Sequence, residues 1–259
     1  MSHRVTVRRE DALAVVTLSH PERLNVLDRK GWEALADAME TLGQDPDVHC
    51  VVVQGAGSGA FSAGSDITGF PDERNTPEQV QEYARALEGA LSAIRSCPHP
   101  TLALIHGACV GGGLEIAASC DLRICSESSR FGAPINRLGL TMSYGELAPL
   151  VELVGASGTL EILFEGGLLS AERAYQVGLV NRVVSDDSVE EEALATAQRI
   201  AAGAPLVNRW HKRFVRRLTD GPPVTEEERQ EAYEAFQTDD YREGVQAFLE
   251  RRTPRFRGE

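Results

Sequence analysis

The chain of 259 residues is 42% hydrophobic and 25% charged, with a formal net charge of −13, a globular make-up long enough to bury one large core or two small ones. So acidic a chain is a poor match for a phosphate backbone, which removes nucleic acid from the expected partners, although a polyanionic small ligand needs only a local basic patch or a helix N-terminus. No apolar run approaches the roughly 20 residues that span a bilayer, and the opening MSHRVTVRRED lacks the apolar stretch of a secretory leader, so a cytoplasmic location without membrane attachment is expected.

In chain order, Val5 and Val7 and then Leu13–Leu18 read as two strands joined by a charged turn over Arg8–Asp11. Asp28 is placed to cap a helix in which Trp32, Leu35, Ala36, Met39 and Leu42 share one face. Cys50–Val53 is a short, wholly apolar strand bounded by glycines, and Thr101–His106 is another; a polar stretch at about 70–80 and a helix over Val80–Ile94 lie between them. This alternation predicts an α/β fold with parallel strands joined by right-handed crossovers. Gly111–Gly113 open a helix over Leu114–Ser119, and Asp121–Cys125 reads as a strand. Beyond residue 145 the pattern is helical, except for a short strand within Gly178–Val184. No repeat or linker divides the chain, so the expected organisation is an α/β core over 1–200 and a helical part over 201–259.

The five cysteines form no CxxC and have no histidine at metal-ligand spacing, which predicts buried thiols and no metal site. The late basic residues, Arg209 to Arg217 and Arg251 to Arg257, are either a solvated face and tail or a phosphate-binding surface. Gly55-Ala56-Gly57-Ser58-Gly59-Ala60 fits a dinucleotide fingerprint in letters, but Phe61–Asp66 and Pro71 make a poor following helix, so a glycine-rich loop is expected.

Two segments carry chemistry. Ala60–Ile67 follows one strand, and His106–Glu115 follows another and opens a helix. Three glycines at a helix start admit a ligand close to the backbone and leave free N–H groups at the positive end of the helix dipole. A thioester carbonyl held there gains hydrogen bonds that strengthen as it becomes an enolate oxygen, about 3–4 kcal/mol per donor. Glu115, in the first turn, is placed to exchange a proton at the carbon next to that carbonyl.

With these two segments in this order, the chain resembles the crotonase (enoyl-CoA hydratase/isomerase) superfamily. The resemblance extends through Pro21-Glu22-Arg23-Leu24-Asn25, Asp121–Ile124, Arg130–Pro134, Gly178–Val180 and the stretch from Asp239 through Phe256, nearly end to end. It implies a ββα spiral core with two sheets, a C-terminal trimerisation region, and a homotrimer or dimer of trimers. It implies an acyl-CoA substrate, with coenzyme A arriving as part of that substrate and no metal or redox cofactor. The backbone N–H groups of Ser65 and Gly112 are implied as an oxyanion hole and Glu115 as the first catalytic glutamate. Ala63, Gly64, Asp66, Ile67 and Gly111 come with the same segments as substrate contacts, although Asp66 also suits a loop or N-cap. Arg23 is implied as a contact to CoA phosphates, one position after the family's usual basic residue, where this chain has Glu22. Phe248 and Arg251 are implied as completing the CoA site from a neighbouring subunit.

The chain also departs from the family. The second hydratase glutamate is replaced by Ile135, which can neither donate nor accept a proton. The downstream glycine-rich turn is replaced by Met142–Leu147, and Ser143 stands where some relatives carry a catalytic aspartate. Glu146 or Tyr144 is a candidate second proton-transfer group; the alternative for Glu146 is a cap or a solvent-facing acid at the start of a helix. Segments 70–80 and 136–146, which line the pocket in the family, resemble it least. Three readings compete: proton transfer on an enoyl-CoA, another enolate reaction such as decarboxylation or thioester hydrolysis, and acyl-CoA binding with little catalysis.

Overall fold

The computed structural model describes residues 4–259. In chain order its strands are β1 (Val5–Glu10), β2 (Leu13–Leu18), β3 (Cys50–Gly55), β4 (Ala60–Ser62), β5 (Thr101–Ile105), β6 (Ala108–Val110), β7 (Leu122–Ser126), β8 (Arg130–Gly132), β9 (Leu169–Ser170) and β10 (Arg182–Val184). The helices are α1 (Arg29–Gln44), α2 (Phe70–Glu73), α3 (Pro77–Ser96), α4 (Gly112–Ser119), α5 (Tyr144–Glu165), α6 (Ala171–Gln176), α7 (Val189–Ala201), α8 (Pro205–Asp220), α9 (Glu226–Glu231) and α10 (Asp239–Glu250). One sheet has the order β1-β2-β3-β5-β7-β10 and a second has β4-β6-β8-β9. The chain passes three times from the first sheet to the second and then into helix: β3 to β4, β5 to β6 and β7 to β8. These are the turns of a ββα spiral. β1 and β2 form an antiparallel hairpin, and every later pairing in the first sheet is parallel.

Parallel strands are covered on both faces, which is why these segments read as continuous apolar runs. Ala14, Val16, Val51, Val53, Ala103 and Ile105 join the cluster built with Trp32, Leu35 and Met39 of α1 and Leu91 and Ile94 of α3. Their neighbours Leu13, Val15, Val52, Leu102 and Leu104 point the other way, onto Val189, Ala193 and Ala197 of α7. All five cysteines are buried and free. Burial pushes the thiols of Cys50, Cys120 and Cys125 up to about 12.

Some boundaries differ from the predicted ones. β1 continues through Arg8–Glu10, because an edge strand accepts charged residues; the turn shrinks to Asp11 and Ala12, with Asp11 at φ 51°. α3 begins at Pro77, ahead of the apolar period, because Thr76 and Gln79 form a reciprocal capping box and proline suits the first turn. The strand expected within Gly178–Val184 is confined to its last three residues, since Gly178 turns the chain at φ 82°. Within the Gly55–Ala60 stretch, Gly55 ends β3, Ala60 begins β4 and the four residues between them form the joining loop. The expectation about apolar runs needs correction: α5 is long and apolar enough, by length and composition, to cross a membrane. It is bent at Gly155 (φ 71°), buries Leu150 and Ile162, and carries Glu146 in its first turn.

Candidate active site

Two backbone segments approach until only glycine fits between them. Gly64 follows β4 with φ 84°, and a Cβ there would lie 2.4 Å from the Gly112 nitrogen. A Cβ on Gly112 would in turn meet the Trp32 indole at 2.8 Å. This contact sets Ser65 beside the first turn of α4. Neither the Ser65 N–H nor the Gly112 N–H has an acceptor among the described residues. The Gly112 amide is orphaned by its place at the helix start.

A buried network holds this arrangement from behind. Trp32 Nε1–H donates to Tyr83 Oη at 3.2 Å, and Tyr83 donates to the Leu27 carbonyl at 3.2 Å. Leu27 exchanges hydrogen bonds with the loop itself: its N–H donates to the Gly64 carbonyl, and its carbonyl accepts from Asp66 N–H, each at 2.8 Å. Asn25, at φ 55°, is fully buried. Its amide donates to the Ala56 and Ala60 carbonyls and its Oδ1 accepts from His20 N–H, so it ties the loop around β4 to the start of α1. Arg23 and Asp66 form a two-pronged ion pair at 2.9 Å, and Asp66 also caps the short turn at Ile67–Gly69. Asp66 is therefore a loop-fixing acid.

A cavity of about 90 Å³ opens onto this junction. The predicted residues Ala63, Ser65, Ile67, Gly111 and Gly112 line one side, and Glu115, Ile135 and Glu146 complete the set. Gly64 packs behind the wall. Arg23 stands outside it, held by Asp66. Phe248 and Arg251 do not line it in the single chain: Phe248 is exposed near the end of α10, and Arg251 is that helix's left-handed C-cap. Phe70, Arg74, Leu87, Leu138, Leu140, Thr141 and Met142 also line it, and sequence reasoning singled out none of them as a site residue. Their only signal was regional: they fall largely in the two segments least like the family.

Glu115 is buried and its Oε2 has no hydrogen-bond partner among the described residues. Burial pushes its carboxyl well above the ordinary carboxylate range; the neighbouring Glu146 carboxylate adds to the rise, and Arg74 opposes it. α4 is anchored at its far end by buried Arg123, whose guanidinium donates to the Ala117 and Cys120 carbonyls. Glu146 forms a capping box with Ser143, its carboxylate accepting the Ser143 N–H while Ser143 Oγ accepts the Glu146 N–H. The cap and the position beside Glu115 are thus compatible, although they were expected as alternatives. The arrangement offers two free amides, two adjoining carboxyls and the Arg74 guanidinium among largely apolar walls.

Comparison with known proteins agrees with this architecture. The family model for enoyl-CoA hydratase/isomerase matches residues 8–259, and the chain belongs to that family, the crotonase superfamily. It is 30% identical over 258 residues to the crotonyl-CoA hydratase of Syntrophomonas wolfei, covering 97% of each chain. It is 31% identical to the short-chain-enoyl-CoA hydratase of Clostridium acetobutylicum, covering 96% of each. Among solved structures, an enoyl-CoA hydratase/carnithine racemase from Magnetospirillum magneticum superposes with a TM-score of 0.96 at 46% identity, covering 99% of this chain and 96% of the other. The chain is therefore an enzyme of the hydratase/isomerase type.

Proposed function

We propose that this enzyme hydrates a 2-enoyl-CoA, with Glu115 and Glu146 as its two proton-transfer groups. The observation that carries the reading is the pairing of these carboxyls in one cavity beside the free Ser65 and Gly112 amides. The thioester oxygen accepts both amides, whose stabilisation grows as enolate charge develops. Glu146 takes a proton from water as the water oxygen bonds to the β-carbon; the former double-bond pair shifts to lie between the α-carbon and the thioester carbon, and the carbonyl pair moves onto the thioester oxygen. Glu115, held protonated by its buried setting, then delivers a proton to the α-carbon. Return of a proton from Glu146 to Glu115 completes the addition of one water. Ile135 takes no part; its role is to shape the apolar wall. Coenzyme A is a portion of the substrate, and the reading assigns Arg23, paired with Asp66 in the free enzyme, to its phosphates.

The test follows loss of the conjugated enoyl-thioester absorbance with crotonyl-CoA in the parent, Glu115→Gln and Glu146→Gln. Glutamine preserves the capping box at position 146, so a loss there reports chemistry rather than folding. Each variant is expected to lose on the order of 100-fold or more in kcat. Unchanged turnover in Glu146→Gln would reduce Glu146 to a helix cap and sink the two-carboxyl mechanism.

A further inference from the structure

We propose that Arg74 makes the acyl pocket selective for a short acyl-CoA that ends in a carboxylate. The inference rests on the acyl-CoA reading above. The Arg74 guanidinium stacks over two rings, 3.8 Å from the Tyr83 centroid and 4.3 Å from that of Phe70. The rings themselves meet edge to face at 5.9 Å. The two ring faces hold the cation by cation–π attraction at the wall of the cavity.

The cation lacks a counterpart. Arg74 enters no ion pair among the described residues, and its Nε is buried without an acceptor. It lines the cavity that holds Ser65, Gly112 and Glu115, and also a second one of about 320 Å³ that shares Leu87, Leu140, Thr141 and Glu146 with the first. The nearby walls are Ile67, Phe70, Leu87, Ile135 and Met142. A plain hydrocarbon chain extended along them would cover the guanidinium without offering an acceptor, a costly desolvation. A terminal carboxylate matches its planar donor fork.

The experiment compares kcat/KM for crotonyl-CoA with that for glutaconyl-CoA, the same chain bearing a carboxylate on its last carbon, in the parent, Arg74→Lys and Arg74→Met. In parallel, calorimetry compares glutaryl-CoA with valeryl-CoA, the same five-carbon chain without the carboxylate oxygens. The parent is expected to prefer glutaconyl-CoA at least tenfold, on the order of what a charged hydrogen bond contributes. Lysine should retain part of that ratio and methionine should erase it. Equal values in the parent, or a loss in Arg74→Met proportionate for both substrates, overturns the proposal while leaving hydration intact. If neither enoyl thioester is turned over, hydration is the reading that fails, and the binding pair decides: an Arg74-dependent preference for glutaryl-CoA upholds the inference, and equal affinities end it.

Discussion

Replacing the titratable carboxyl of Glu115 by an amide is expected to stabilise the fold above the ordinary carboxylate range while turnover falls. Its folded carboxyl titrates well above its ordinary value of 4.5, chiefly because it is buried. The folded state therefore holds its proton more tightly than the unfolded chain. Stability falls as pH rises from about 4.5 toward the folded value, by about 1.4 kcal/mol for each pH unit in that window. Glu115→Gln lacks that slope. Melts of the parent and variant should nearly coincide at pH 4 and separate in favour of the variant by pH 8; a gap independent of pH would contradict the burial argument. In the proposed mechanism activity runs in the same sense: the proton-delivering form of Glu115 persists above the ordinary carboxylate range and disappears as pH rises through its raised value. Ser65, Gly112 and Glu115, which line one cavity, could be singled out from the sequence because each lies in a local motif. Arg74 could not, since its setting is made by Phe70 and Tyr83 together with a cavity wall from residues 138–142, and no spacing encodes that conjunction.

Among the elements, the approach of the loop after β4 to the start of α4 decides whether both free amides face one point. Gly64→Ala would put a Cβ against the Gly112 backbone in a left-handed conformation. It is expected to lower kcat/KM on the order of 100-fold, the scale of losing one such donor. Tyr83→Phe leaves Trp32 Nε1–H without its buried acceptor, while the Leu27 carbonyl keeps the Asp66 N–H; the loss is about 1–3 kcal/mol of stability, measurable by urea denaturation. A variant as stable as the parent would show that the Trp32–Tyr83 link does not brace the loop. At this scale, most strands and helices followed from apolar period and capping chemistry. What escaped were details set by partners distant in sequence: β1 lengthened because β2 pairs with all six of its residues, and β4 and β6 are too short for any periodicity to reveal.

The whole molecule leaves apolar surface uncovered. Leu218 of α8, Leu249 and Phe248 of α10 and Phe164 of α5 are all strongly exposed in the single chain. Patches of this kind on a monomer mark association surfaces. The expected outcome of sedimentation is a mass that is a multiple of 28.1 kDa, and Phe248→Asp combined with Leu249→Asp should shift it downward. Sedimentation of the parent at the single-chain mass would count against association through these helices. Sequence resemblance pointed to 201–259 as the associating part, while Phe164 adds α5, a helix of the core, to the bare surface.

The five buried thiols offer a clock. With Cys50, Cys120 and Cys125 pushed up to about 12, a thiol-modifying reagent at neutral pH meets almost no thiolate in the closed protein. Modification must wait for the chain to open. The cysteines lie in β3, at the ends of α3 and α4, in β6 and in β7, so the order in which they react would trace which part of the spiral unwinds first, without any label being introduced.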